Sequence, residues 1–275
     1  MIDALVFLGP ALAMCLVIAS IHVYLGMHVL AREVIFVDLS LAQLAALGAT
    51  VAALFVREGH EGVLPHIAAL AFTAVGAAIF AFTRRARKHM SLEALVGIVY
   101  AVASAVTVLV LSRSPHGAEH MKDILVGSLL NTTWKQVVQI AAAYVVLGTI
   151  QVVLSRRFIR ISWTPDEAES SMRRVELWDL AFYLLFGVVI TLSVQVAGIL
   201  LVFSFLIVPA VITRLFWEGF GRRLVAGWVV AIIASFLGLW ASWGWDLPTG
   251  AAVVAAFGAL LVVAGIVRVF SSAAT

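Results

Sequence analysis

Charge is what this chain has least of. Asp, Glu, Lys and Arg make up 12% of its 275 residues, while 63% are hydrophobic; a soluble domain carries about 25% charged residues. So few ionic groups cannot cover a surface facing water, which excludes an ordinary soluble domain. A single cysteine, Cys15, excludes a disulfide framework. It sits inside an apolar block, where packing is its expected role. That block lacks a basic leader and a convincing small-residue cleavage site, so a retained helix is expected rather than a secretory signal. The apolar blocks also lack the strict alternation of a membrane β-barrel. No ATP-binding motif, low-complexity linker or clear internal repeat is found.

What is present is long uncharged blocks. Leu5 to Leu25 and Leu180 to Thr213 contain no Asp, Glu, Lys or Arg, and about 20 residues suffice to cross a bilayer core. Backbone polar groups in hydrocarbon must be satisfied within the segment, which leaves helices. Charged and turn-forming breaks predict nine spans, near 5–27, 35–56, 64–83, 93–112, 136–154, 177–195, 198–215, 224–243 and 248–267. A tight reversal is expected between Gln195 and Gly198, because one helix of about 35 residues would overshoot the membrane. The expected fold class is an all-α polytopic membrane bundle, a single domain over 1–275.

Basic residues orient it. Arg84, Arg85, Arg87 and Lys88, then Arg156, Arg157, Arg160, Arg173 and Arg174, then Arg214, Arg222 and Arg223 fall in alternate loops with Arg32. The positive-inside rule assigns that side to the cytoplasm, with the N-terminus outside and the C-terminus inside. Small residues such as Gly76, Gly187, Gly238 and Gly258 recur inside the spans, as expected for helices packed closely in lipid. Trp178, Trp217, Trp243 and Trp245 lie near predicted span ends, where such rings anchor at the interface.

Four groups of residues could carry chemistry. Asp38 lies inside the second span, where a carboxylate is expensive and by default functional or paired; it is expected either to contact a cargo or to pair with Arg32 at the interface. With Gln43, His22, His28 and Gln195 it forms a candidate pathway of oxygen and nitrogen ligands, suited to zinc, manganese or iron. His116, Glu119 and His120, in a predicted outer loop over 113–135, match a histidine–glutamate–histidine zinc string, although Pro115 and Gly117 disfavour the helix that string needs; accessory metal capture is the sharper reading and a solvated loop the plainer one. In the predicted cytoplasmic loop 155–176, Pro165 followed by Asp166, Glu167 and Ala168, and closed by Arg173 and Arg174, reads as a short helix with acids at its start. Such a loop, in a chain with no ATP-binding motif, could dock a soluble partner. Finally, Pro209, deep in the span Gly198 to Phe216, is expected to kink that helix; discontinuous helices recur at transporter substrate sites, and a structural kink is the plainer reading.

These segments together resemble the membrane subunits of metal-uptake ABC transporters, the zinc and manganese permease family related to siderophore and vitamin B12 permeases. The resemblance is carried by LGMHVLAREVIFVDLSLAQLAALG at Leu25 to Gly48, DILVGSLLNTTWKQV at Asp123 to Val137, TPDEAESSMRRV at Thr164 to Val175, GILLVFSFLIVPAVITRLF at Gly198 to Phe216 and WDLPTGAAVV at Trp245 to Val254. It implies a multi-pass plasma-membrane protein, a homodimer, that imports a divalent metal by alternating access and is not itself an enzyme. ATP is hydrolysed on separate cytoplasmic ATPase subunits, an extracytoplasmic metal-binding protein delivers the cargo, no cofactor stays bound, and nucleic acid plays no part. The resemblance also makes Pro165 to Arg174 the segment that couples to the ATPase, and puts Gly127 in a short outer helix near an external gate. One departure is plain. The family's second span usually reads F-x-G-D-x-x-x-H, and here Leu39 and Gln43 stand at the acid and histidine positions, with Asp38 displaced by one residue, about 100° around a helix. The alternatives are the same architecture carrying a metal chelate or other small solute, a scaffold subunit, and an intramembrane metalloprotease built on His116 and Glu119.

Overall fold

The computed structural model describes residues 2–55, 63–83, 91–112, 124–127 and 129–273. Its helices are α1 (Ile2–Ala31), α2 (Val37–Ala53), α3 (Leu64–Phe82), α4 (Leu92–Leu111), α5 (Trp134–Trp163), α6 (Pro165–Ser171), α7 (Val175–Ala197), α8 (Ile199–Phe216), α9 (Phe220–Trp245) and α10 (Thr249–Ala273), with a short 3-10 turn at Leu129–Asn131. Among the described residues there is no strand. Among the described residues, eight helices are long and apolar enough to cross a membrane, and α2, at 17 residues, is a shorter apolar helix. Each of the nine predicted spans corresponds to one of these nine helices.

The helix ends follow local chemistry. Ser91 caps α4 by accepting the Ala94 amide N–H at 3.1 Å. Proline in the first turn starts α3 and α6. The largest departure from the predicted boundaries is α5, which continues nine residues past 154 and carries Arg156, Arg157 and Arg160 within the helix. Arginine marks the limit of the hydrocarbon, not of the helix. Nothing in 155–163 breaks the backbone pattern until Thr164, which precedes a proline and leaves the helical region at φ −131°.

Backbone contacts divide the chain into two compact units. The first comprises Met1–Leu30, Val126–Val146 and Val196–Thr275. Here α8, α9 and α10 pack on one another. Gly26 of α1 abuts the Leu206 carbonyl of α8, and Gly238 of α9 abuts the Val253 backbone of α10, the close approach that small residues allow in lipid. Phe205 and Phe257 meet edge to face at 5.0 Å between ring centres. Cys15 is fully buried, with a Ser235 contact.

The second unit comprises Ala31–Leu125 and Leu147–Gln195. In it α2 packs against α3 and α4. Ser40 Oγ donates to the Val96 carbonyl at 2.6 Å, and Thr73 and Thr191 share a hydroxyl hydrogen bond at 3.1 Å. A run of rings, Phe158, Phe182, Tyr183, Phe186 and Phe80, forms its aromatic core.

Candidate functional site

Polar side chains enclosed in an apolar bundle are the candidates, because each costs free energy unless something satisfies it. On α2, Asp38 is 1% exposed. It stands at the second helical position, its carboxylate beside the backbone N–H groups of Asp38 itself and Leu39. Its Oδ1 has no hydrogen-bond partner, and neither has Gln43 Oε1. Arg32 does not pair with Asp38. Its partner is Asp179 of α7, with Nη1 2.7 Å from Oδ1.

On α1, His22 is fully buried, and its Nδ1 lies 2.8 Å from the Ile18 carbonyl. With the proton on Nδ1 and donated to that carbonyl, the Nε2 lone pair is free, and Nε2 has no protein partner; metal-ligating histidines are oriented in this way. Tyr144 of α5 packs beside its ring at 6.1 Å. His28, also fully buried, lies among rings: Tyr24 at 4.7 Å and Phe220 at 6.1 Å. Gln195, near the end of α7, is exposed. His22 and His28 belong to the first unit, Asp38, Gln43 and Gln195 to the second. Among the described residues no three His, Cys, Asp or Glu side chains gather closely enough to hold a metal ion.

The segment following α5 is seated by a small apolar core. Ala168 of α6 is fully buried against Ile161 and Val175, with Met172 and Trp178 packed alongside. Asp166, Glu167 and Glu169 are exposed, as are Arg173 and Arg174. Those two arginines, Leu177 and Trp178 line an open groove of about 430 Å³, and the Arg157 guanidinium lies 4.0 Å over the Trp178 ring, a cation–π contact.

Gly127 and Gly198 meet. A β-carbon on Gly127 would run into the backbone of Ala197 and Gly198. Both glycines have positive φ, 70° and 76°, and Gly198 at ψ 162° occupies a region that other residues hardly enter. The break between α7 and α8 is therefore written in glycine at both contacting positions. By contrast, α8 continues through the buried Pro209 as one helix, and Thr213 Oγ1 donates to the Pro209 carbonyl at 2.8 Å. His116, Glu119 and His120 lie outside the described residues, as does the basic stretch 84–88.

Three residues escaped the sequence reading. Asp179 sits in the second turn of a span, where its charge could have flagged it. Glu93 opens α4 with its carboxylate beside the backbone N–H groups of Phe36 and Ile35, a proximity between segments that no spacing reveals. Gln151 is 2% exposed with neither amide atom hydrogen-bonded; it falls on the seven-residue repeat Val137, Tyr144, Gln151, Phe158, which is buried along α5. That repeat was available in the sequence.

Comparison with known proteins joins these features to a family. The manganese transport system membrane protein MntB of Synechocystis sp. is 25% identical over 200 residues, 70% of this chain and 64% of that protein. The chelated iron transport system membrane protein YfeD of Yersinia pestis is 29% identical over 167 residues, 59% of this chain and 54% of that protein. The chain thus spans less than two thirds of the length of either relative. Among solved structures, PsaBC from Streptococcus pneumoniae in complex with Fab shares the fold with a TM-score of 0.79 at 17% identity, covering 96% of this chain and 93% of that one. The sequence profile of the ABC 3 transport family matches residues 4–268, nearly the full length, and this chain belongs to that family.

Proposed function

We propose that this chain is the membrane-spanning permease subunit of an ABC transporter that imports a divalent first-row metal ion, zinc, manganese or iron, across the plasma membrane. The observation that carries the reading is the set of enclosed ligand atoms without protein partners, His22 Nε2, Asp38 Oδ1 and Gln43 Oε1, in spans otherwise built from apolar residues. An imidazole nitrogen and carboxylate and amide oxygens suit zinc, manganese or iron. Weak, scattered ligation fits passage, since a cargo must leave each site as well as enter it. The names of the manganese and chelated-iron relatives support the same cargo class.

The chain works as a homodimer, with the basic loops facing the cytoplasm, and ATP is hydrolysed on partner subunits. The exposed acids and arginines of Pro165 to Arg174, held on the Ala168 anchor, are the docking segment for those subunits. An extracytoplasmic binding protein delivers the metal, and the Gly127–Gly198 contact is part of the gate on that side. The external histidines His116 and His120, with Glu119, are reserved for accessory capture.

A second reading, transport of a metal chelate, is favoured by the absence of a three-ligand metal cluster among the described residues. The two are separated by reconstituting the chain with its ATPase and binding protein and offering free manganese(II), zinc(II) or iron(II) and, separately, a chelated form. ATP-dependent accumulation of the free ion supports the first reading. Movement of the chelate alone supports the second, and movement of neither overturns both.

A further inference from the structure

We infer that the Arg32–Asp179 pair is the joint that carries movement of the segment between α5 and α7 into α2, a positioning role that rests on the transporter reading above. Arg32 opens the five-residue turn between α1 and α2. Its Nη1 donates to Asp179 Oδ1 at 2.7 Å, and its Nε donates to Ser162 Oγ at 2.9 Å. The guanidinium carbon lies 3.9 Å from the centre of the Phe182 ring and 5.5 Å from that of Tyr183. The two charged side chains are 3% and 2% exposed.

The placement of these partners is what matters. Ser162 ends α5 and Asp179 lies early in α7, so a single guanidinium grips both helices that flank α6. The far end of the same turn faces α4, where the Glu93 carboxylate lies beside the Ile35 and Phe36 N–H groups. Phe36 is the residue from which α2 starts, and Asp38 and Gln43 lie two and seven positions beyond it. A displacement of α6 that moved α5 and α7 would thus reach α2 through one rigid fork.

Backbone geometry agrees. Glu33, next to Arg32, and Arg174, five residues before Asp179, both adopt φ 58°, and with Asp246 they are the described non-glycine residues at positive φ. Such conformations persist where the surroundings over-determine them, and they cluster at switch regions. Stability alone does not call for the pair, because apolar replacements of a buried ion pair are often neutral. What arginine adds is a planar fork that bonds two helices in fixed directions while stacking on a ring.

The test uses the complete transporter, permease with its ATPase and binding protein, in proteoliposomes, with manganese(II), zinc(II) and iron(II) each as probe. The readout is ions moved per ATP hydrolysed, with folded permease measured by size exclusion. Arg32→Gln and Asp179→Asn are expected to retain the ATPase and its hydrolysis while ions per ATP fall about tenfold, within the usual range of coupling between sites. Arg32→Lys keeps the charge without the fork, and a smaller loss of about threefold is expected. If Arg32→Gln does not fold, Arg32→Lys decides by the same ratio. An unchanged ratio in the folded variants, or a loss of uptake no greater than the loss of folded protein, would overturn the joint. If the unaltered chain neither retains an ATPase nor moves a probe with ATP, the transporter reading falls first, and the two failures are told apart by that control.

Discussion

Asp38 and His22 show how one rule can identify a residue without identifying its partner. A carboxylate inside an apolar span marks itself, because burying it is costly. Its neighbours are set by contacts no spacing discloses: Arg32 finds Asp179 at a separation of 147 residues, and Glu93 reaches the turn before α2. Replacing both Asp38 and Gln43 by alanine should lower metal uptake about tenfold or more, while the permease still assembles with its ATPase; each lost ligand contact is worth a few kcal/mol, and every 1.4 kcal/mol is a factor of ten. Unchanged uptake would remove α2 from the pathway. His22→Ala should weaken uptake in the same assay, and His22→Gln, which retains a donor atom of similar reach, should recover part of it. Arg32→Ala has a different signature. It takes the guanidinium away from the buried Asp179 carboxylate, at a cost of about 3–5 kcal/mol, visible as a lower melting temperature of the purified chain.

At the scale of the element, hydropathy located all nine apolar helices, because crossing hydrocarbon demands long uncharged runs whatever the tertiary packing. The end of α5 was misjudged because the charge that ends the membrane does not end the helix. The start of α6 was legible in Pro165 and the acids that follow. Its seat was not, since the contact of Ala168 with Ile161 and Val175 depends on how the flanking helices converge. Ala168→Glu should unseat α6 and abolish ATPase co-purification with the bundle still folded, and the double reversal Glu167→Lys with Arg173→Glu should weaken the same capture. Full ATPase retention in both would dismiss this segment as the dock. Gly127→Ala adds a β-carbon against the Ala197–Gly198 backbone at a positive φ. A destabilisation of about 1–3 kcal/mol is expected, measured as a lower thermal midpoint.

For the whole molecule, enclosure separates the helices by role. Two thirds of the α8 span and more than half of the α7 span are buried inside the protein, against 17% for α5 and 22% each for α4 and α10. The exposed apolar faces of the latter suit lipid. The buried stripe of α5 includes two side chains with polar groups, Tyr144 and Gln151, beside the apolar Val137 and Phe158. The candidate ligand atoms lie enclosed on α1 and α2, which favours the transport reading over anchoring or catalysis. Its most direct test is uptake of manganese(II), zinc(II) or iron(II), free or chelated, into proteoliposomes holding this chain with its ATPase and binding protein. The account predicts saturable accumulation that requires ATP and all three components. Equal accumulation without ATP, or none with any of these cargoes while the assembled complex hydrolyses ATP, would contradict it.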